Sequence, residues 1–138
     1  MIKEDCLFCK IAKGEIHSAT VYEDSHFTVI LDVNPATKGH CLIIPKEHFD
    51  NIYDLDGETA GKLFALATCI ARAMKDALKC DGLNLVQNNG EVAGQTVNHF
   101  HLHLIPRYEG DGLNLNWPQQ DISGEQLEEI RQSIKKSI

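Results

Sequence analysis

The sequence lacks any apolar run long enough to cross a membrane, and it is short of basic residues. Thirteen Lys and Arg side chains stand against twenty Asp and Glu, which gives a formal net charge of −7. This balance argues against loose binding to nucleic acid or to an anionic membrane surface. The first five residues lack the basic start and apolar middle of a signal peptide. We therefore expect a cytoplasmic protein with neither nucleic acid nor membrane among its partners.

Internal repeats, low-complexity tracts and linker-like segments are also lacking. The chain has 138 residues, 43% of them hydrophobic, which suffices for one core and is too little for two. We predict a single domain over residues 1–138, with its core at about 5–118 and a C-terminal helix at about 123–137. The five cysteines are an odd number, which argues against a disulfide framework and favours reduced thiols or a metal site.

Hydrophobic alternation and turn residues predict five strands, at residues 20–23, 26–32, 40–45, 82–87 and 98–105. Apolar residues at helical spacing predict one main amphipathic helix over about 57–79, capped by Asp54 or Asp56. Five strands in hairpin-compatible order around one central helix indicate an α+β fold on a mainly antiparallel sheet.

Two further helices are predicted at the ends of the chain. A short N-terminal helix over residues 6–14 would be closed by Gly14, since glycine readily adopts the left-handed conformation. At the C-terminal end, Ser123 and Gln126 form a capping-box signature. We expect that last helix to be buried through its apolar residues, Leu127, Ile130, Ile134 and Ile138.

The most informative stretch is residues 98–105, where three of the seven histidines occupy alternate positions. On a strand, His99, His101 and His103 would share one face at intervals of about 6.6 Å, close enough to line one phosphate-sized pocket. Two chemistries use such a row. Neutral imidazoles can ligate zinc, or one ring can attack phosphorus in phosphoryl or nucleotidyl transfer.

A second constellation is the Cys-x-x-Cys pair formed by Cys6 and Cys9. Its spacing suits two thiolates on one zinc ion, a redox disulfide, or two buried core residues. The other cysteines, Cys41, Cys69 and Cys80, are expected to be core or surface thiols.

The stretch His99-Phe100-His101-Leu102-His103-Leu104-Ile105 resembles the His-φ-His-φ-His-φ-φ motif (φ apolar) of the histidine triad family of nucleotide-binding proteins and nucleotide hydrolases. The resemblance covers roughly residues 5–118. It extends to three more segments, which are Gly94-Gln95-Thr96, Asp32 with Pro35, and the strand from Gly39 to His48 that ends in Ile-Pro-Lys-x-His.

The resemblance implies roles at a nucleotide α-phosphorus. His101 would be the nucleophile and would form a covalent nucleotidyl-histidine, as suits a neutral imidazole near pH 7. His103 and His40 would flank the phosphate and stabilise its charge in the transition state. Thr96 would direct its hydroxyl toward the leaving group, and a backbone amide at Gln95 or Thr96 would bind a phosphoryl oxygen.

Two further residues are implied to hold the nucleotide. Asp32 would accept hydrogen bonds from the ribose hydroxyls, and Asn88 would contact the phosphate or the ribose. Each has a plainer alternative, because both lie in segments rich in turn-forming residues. A shift of one residue would also exchange Asn88 with Asn89.

The resemblance further implies one structural Zn²⁺ per chain and no organic cofactor. Some family members complete the Cys-x-x-Cys pair with the histidine after Ile-Pro-Lys-x and with the first triad histidine. Here the resulting ligand set is Cys6, Cys9, His48 and His99. Family members are usually homodimers joined through the main helix and an edge strand, so the implied partners are a second copy and a purine nucleotide substrate.

The leading hypothesis is a hydrolase of nucleoside phosphoramidates or dinucleoside polyphosphates. The alternatives are a metal-dependent hydrolase with histidine ligands and a nucleotide-binding adaptor with little turnover. Trp117-Pro118 resembles the Trp-Pro near the end of phosphoramidase-like members, in which the tail helps to form the active site. This chain continues for another twenty residues, so the choice between an amine and a phosphate leaving group stays open.

Overall fold

The chain forms five strands and three α-helices in the part that the structure, a computed structural model, describes, residues 3–138. The first two residues, where the predicted domain and the segment tested for a signal peptide begin, lie outside the described residues. In chain order the elements are α1 (Leu7–Ala12), β1 (Thr20–Glu23), β2 (Phe27–Leu31), β3 (Cys41–Pro45), α2 (Gly57–Leu78), β4 (Gly82–Val86), β5 (Leu102–Arg107) and α3 (Gly124–Lys136), with a 3₁₀ turn at Glu91–Ala93.

The strands form one sheet in the order β1-β2-β3-β5-β4, and every neighbouring pair is antiparallel. The predicted α+β fold is therefore confirmed. The last strand in the sequence, β5, lies between β3 and β4, which leaves β1 and β4 as the edges.

Both faces of the sheet are covered, which explains the continuous apolar runs of β2 and β3. On one face α2 packs through its buried residues Leu63, Ala67, Ile70 and Met74. On the other face Phe8 of α1 packs against Ile30, Leu42 and Ile44. The candidate site lies on this second face.

The main helix begins and ends with recognisable caps. The Asp56 carboxylate accepts a hydrogen bond from the Thr59 N–H at 2.9 Å, so Asp56 is the N-cap. Lys79 ends the helix in the left-handed conformation at φ 55°. None of the helices in residues 3–138 combines the length and apolar character needed to cross a membrane.

The predicted strand over residues 98–105 is wrong in its first half. The ladder of β5 begins at Leu102, so both His99 and His101 precede it. The Phe100 N–H donates instead to the Phe49 carbonyl at 2.7 Å, which takes the backbone out of the sheet. Of the three triad histidines, His103 alone therefore lies on β5.

The prediction that the last helix is buried is also wrong. Ser123 and Gln126 do form the capping box, but α3 has no buried residue. The four apolar side chains expected to be buried are 48–100% exposed, and they are Leu127, Ile130 and Ile134 of α3 and Ile138 just after it. The pattern correctly predicts an amphipathic helix, but within one chain no part of residues 3–138 covers its apolar face.

Candidate functional site

A cavity of about 450 Å³ opens on the α1 face of the sheet. One part of its wall is apolar and includes Phe8, Ile11 and Ile30. Four of the predicted polar residues share that wall, and they are Asp32, Thr96, His101 and His103. An apolar slot with a few convergent polar groups is the usual form of a small-molecule site.

His101 is held in one tautomer by the backbone. Its Nδ1–H donates to the His99 carbonyl oxygen at 2.7 Å, which leaves Nε2 with a free lone pair in the neutral ring. Burial lowers the pKa of His101, so the ring is neutral at pH 7. This buried ring therefore lines the cavity with an unprotonated Nε2, which is the form that a nucleophilic imidazole requires.

His103 is oriented by a chain of hydrogen bonds that begins at a backbone amide. The Ala36 N–H donates to His40 Nδ1 at 3.0 Å, so the neutral His40 ring carries its proton on Nε2. That nitrogen lies 2.9 Å from His103 Nδ1 and donates to it. The proton of His103 is therefore on Nε2, and burial lowers the pKa of His103 to about 4.

His40 was expected to flank the phosphate, but it lies behind His103. It is 5% exposed, and its two ring nitrogens are engaged by Ala36 and His103. Burial lowers its pKa, and Asp32 lies 3.7 Å from its Nε2. His40 therefore acts on the cavity indirectly, by orienting the His103 ring.

Asp32 forms a turn and also lines the cavity, so the two alternatives for this residue are compatible. Its Oδ1 accepts the Asn34 N–H at 2.9 Å, which forms the turn before Pro35. The residue also lines the cavity, with Oδ2 on the side of His40. A turn-forming carboxylate can thus still present one oxygen to a ligand.

The loop before the triad is braced by Gln95. Its side chain accepts from the Gly90 N–H at 2.8 Å and donates to the Asp50 and Val97 carbonyls at 2.7 and 3.0 Å. Its own backbone N–H donates to the Gly90 carbonyl. Of the two amides predicted to bind a phosphoryl oxygen, the one at Gln95 is therefore engaged within the loop, which favours Thr96.

Asn88, like His40 and Gln95, is a predicted site residue that does not line the cavity. Its amide lies beside Gly94, where an added Cβ would be 3.5 Å from Asn88 Nδ2. Its neighbour Asn89 bonds to the Gln87 side chain and accepts the Ile52 N–H. Both asparagines lie between β4 and the 3₁₀ turn at Glu91–Ala93.

A second cluster lies next to the cavity and consists of Cys6, Cys9, His48 and His99, whose ligand atoms all lie within 4.8 Å of one another. The Nδ1 atom of His99 is 3.3 Å from Cys6 Sγ and 3.5 Å from Cys9 Sγ, and His48 Nδ1 is 3.4 Å from Cys9 Sγ. In a tetrahedral zinc site with bonds of about 2.3 Å to sulfur and 2.0 Å to nitrogen, these atoms stand about 3.5 Å apart. The donor set therefore fits zinc.

In both His48 and His99, the Nε2 nitrogen is held by a hydrogen bond. His99 Nε2–H donates to the Pro45 carbonyl at 2.8 Å, and His48 Nε2–H donates to Asp50 Oδ1 at 2.7 Å. Each ring therefore presents an unprotonated Nδ1 to the thiols, as a metal ligand must. Burial lowers the pKa of His99 to about 4, and the bond from His48 lowers the pKa of Asp50.

The redox interpretation of the cysteine pair is less well supported. Burial raises the pKa of the Cys9 thiol, whereas reactive cysteines have a lowered pKa. Among the other thiols, Cys41 is buried, Cys69 is exposed and Cys80 is partly exposed. Cys41 has its pKa raised to about 11 by burial, as an inert core thiol would.

The protein-family model of the HIT domain matches residues 13–110 of the sequence. This chain belongs to the HIT (histidine triad) family. A crystal structure of a HIT family member from Bacillus subtilis has a TM-score of 0.92 and 47% identity, covering 98% of each chain. Adenosine 5'-monophosphoramidase hnt1 of Schizosaccharomyces pombe is 36% identical over 134 residues, 96% of this chain and 98% of the relative. The structure of a Zn-bound HIT protein from Mycobacterium smegmatis has a TM-score of 0.76 and 38% identity, covering 97% and 98% of the two chains.

Three features of this HIT protein were missed by sequence reasoning. Phe8 of α1 packs against the triad, Asp50 holds His48, and the Pro45 carbonyl holds His99. An acidic residue two positions after a candidate ligand histidine was a usable signal for Asp50. The other two depend on tertiary contacts that no local pattern encodes.

Proposed function

We propose that this HIT protein hydrolyses a purine nucleoside monophosphate derivative at its α-phosphorus through a covalent nucleotidyl-His101. The observation that carries the proposal is the bond from His101 Nδ1–H to the His99 carbonyl, which leaves a free Nε2 lone pair on a cavity-lining ring. The apolar part of the cavity would take the base, and Asp32 would bind the ribose. The name of the S. pombe relative supports this class of reaction.

In the first step, His101 Nε2 forms a bond to the α-phosphorus while the bond from phosphorus to the leaving group breaks. The leaving group departs with its electron pair, accepts a hydrogen bond from the Thr96 hydroxyl and takes its proton from solvent. The imidazole becomes cationic as this happens, and its Nδ1–H bond to the His99 carbonyl then strengthens, since a charged donor bonds more tightly.

His103 would donate its Nε2–H to a non-bridging phosphoryl oxygen, where negative charge builds up. In the second step, water attacks the same phosphorus, the P–N bond to His101 breaks, and the proton lost by the water passes to solvent. The nucleoside monophosphate is released, and the lone pair returns to Nε2. The chain from Ala36 through His40 keeps His103 a donor in both steps.

A metal-dependent hydrolase that uses the triad as ligands is the weaker candidate. His99 points toward the cysteines, so the three histidines do not converge on one position. The donor atoms of Asp32, His40 and His103 do lie within 4.8 Å of one another. His40 Nε2 carries a proton when Nδ1 accepts the Ala36 amide, so a metal ion there would disrupt that bond.

The test is to incubate the purified protein with an adenosine phosphoramidate and a dinucleoside polyphosphate and to measure AMP release with and without a chelator. We expect AMP from at least one substrate, and the preferred one identifies the leaving group. Activity that disappears with the chelator and returns with any added divalent ion would favour the metal-dependent alternative. Tight binding without AMP release would favour the adaptor.

We also propose that one Zn²⁺ is bound by Cys6, Cys9, His48 and His99 as a structural ion. When bound, it would link α1 to the loop after β3 and to the triad segment, and it would take no part in the chemistry. A zinc content well below one ion per purified chain, together with free alkylation of both cysteines, would refute this assignment.

Activity should persist into mildly acidic solution. Burial lowers the pKa values of His101 and His103, the latter to about 4, so both rings take up a proton at a lower pH than an ordinary imidazole does. We expect kcat to fall between pH 7.5 and 5.5 by less than the roughly tenfold loss that an imidazole with the ordinary pKa of about 6.5 would cause. A pH profile of kcat checks this, and a tenfold loss by pH 5.5 would contradict it.

We propose that the chain is a single histidine triad domain that forms homodimers through α2 and the edge strand β4. Phe64 on the outer side of α2 is 55% exposed, and Leu85 on β4 is 43% exposed. Analytical ultracentrifugation should give twice the chain mass of 15.4 kDa. Phe64→Asp should shift the protein toward the monomer, while a wild-type protein that is monomeric at micromolar concentration would refute the proposal.

A further inference from the structure

Phe8 lies between the two cysteines of the candidate zinc site and packs against the triad. It is 6% exposed, although it belongs to a helix of only six residues. Its ring centroid is 4.9 Å from that of His101, with the planes at 82°, and 6.0 Å from that of His99, with the planes at 77°. Both contacts are edge-to-face, which is a favourable arrangement for aromatic rings.

These contacts restrict a motion that the hydrogen bonds leave open. The bond from Nδ1–H to the His99 carbonyl fixes one edge of the His101 ring, but the ring can still tilt about that bond. Phe8 packs against the His101 ring. The His103 ring also contacts the His101 ring, and the centroids of these two rings are 4.9 Å apart. Attack requires the reacting atoms at about 3–3.5 Å in line, and a misplacement of 1 Å can cost about 100-fold in rate.

The position of Phe8 depends in turn on the cysteine segment. A helix as short as α1 has little stability of its own. It is held by Cys6 and Cys9, which flank Phe8 and approach His99, and by the packing of Phe8 on Ile30, Leu42 and Ile44. The segment that supplies two candidate zinc ligands therefore also supplies the wall behind the candidate nucleophile.

We infer that Phe8 is a positioning residue for His101, carried into place by the Cys6–Cys9 segment. The inference rests on the proposed function, since it needs His101 to be the nucleophile. Phe8 also lines the cavity, so it could contribute to nucleotide binding alone. The two roles differ in kinetics. Lost binding raises KM at constant kcat, whereas a misplaced nucleophile lowers kcat at saturating substrate.

The test compares Phe8→Leu and Phe8→Ala with Phe27→Leu. Phe27 is a buried phenylalanine at 2% exposure in the cluster under α2, on the other face of the sheet. For each variant kcat, KM, melting temperature and zinc content are measured on the zinc-loaded protein. We expect kcat to fall about 30-fold in Phe8→Ala and about fivefold in Phe8→Leu, with zinc content unchanged. Phe27→Leu should lose stability and keep its kcat.

A spectroscopic readout makes the test independent of turnover. Nitrogen-15 NMR of the imidazoles should show one tautomer for His101 in the wild type and in Phe27→Leu, with the proton on Nδ1. In Phe8→Leu, which keeps most of the buried volume and should fold, we expect shifted or exchange-broadened His101 ring resonances, because the ring can tilt about its bond to the His99 carbonyl.

Three outcomes would overturn the inference. They are a raised KM with unchanged kcat in both Phe8 variants, an equal loss of kcat in Phe27→Leu, and an unchanged His101 resonance in Phe8→Leu. His101→Ala is assayed alongside to separate this inference from the proposed function. If His101→Ala keeps wild-type turnover, the nucleophile is wrong, whereas if it is inactive and the Phe8 variants keep kcat, only the positioning role fails.

Discussion

Replacing His101 with alanine should lower kcat for AMP release by at least about 10⁴-fold, which corresponds to about 5.5 kcal/mol of transition-state stabilisation. The size of the effect follows from the loss of the bond-forming atom. His101 contributes the only Nε2 lone pair for which the structure fixes both the tautomer and a place on the cavity wall, within residues 3–138. His103, the neighbouring ring, has its proton on Nε2 and cannot substitute without losing the bond from His40.

His26→Ala is the matched control, because the same substitution is made at an exposed histidine away from the cavity. Its kcat should equal that of the wild type. The kcat of His103→Ala should lie between those of His101→Ala and His26→Ala. We expect it to be about 10²–10³-fold below the wild type, because one hydrogen-bond donor to a developing charge is removed. Acid-quench trapping of a nucleotide on the protein provides a direct check. Label retained by His101→Ala at wild-type levels would place the nucleophile elsewhere.

Replacing Cys9 with serine should remove the bound zinc and lower the melting temperature by about 10–20 °C. Zinc at 1,000 times its dissociation constant stabilises the folded state by about 4 kcal/mol, which for a chain of this size corresponds to such a shift. Cys9 is 1% exposed and its Sγ approaches both His48 and His99, so its loss removes a ligand from the interior of the cluster. A chelator added to the wild-type protein should reproduce most of the shift.

Cys41→Ser is the control for the cost of placing a hydroxyl in a buried thiol position. Cys41 is 2% exposed and lies outside the cluster, where its Sγ contacts the Gly39 carbonyl. This variant should keep one zinc ion per chain and melt within a few degrees of the wild type. Equal melting temperatures for Cys9→Ser and Cys41→Ser, measured with zinc present, would show that no ion stabilises the protein.

Sequence reasoning predicted the elements well wherever one local pattern decides the structure. The apolar spacing of α2 and the cap at Asp56 place that helix to within one residue, because both signals lie inside the element. The order of the strands in the sheet could not be predicted from such patterns, because the partners of β5 depend on the packing of the whole sheet. The fate of α3 was mispredicted for a related reason. Periodicity shows that a helix has an apolar face, but the partner that covers this face is a tertiary or quaternary matter.

For the candidate site, the motif predicted which residues lie close together more accurately than it predicted their contacts. Asp32, Thr96, His101 and His103 do share one cavity, and the four candidate zinc ligands share one cluster. The placement of His40 behind His103 was not predictable, because it depends on an amide at Ala36 that gives no sequence signal. Any residue other than proline supplies that amide.

The long separation between the candidate zinc ligands affects the order of events during synthesis. Cys9 and His99 are 90 residues apart in the chain. At translation rates of about 5–20 residues per second, the two thiols leave the ribosome about 5–18 s before the last histidine of the cluster. During this interval the nascent chain holds an incomplete ligand set. A tetrahedral site can therefore form only after most of the chain, including the triad, has been made.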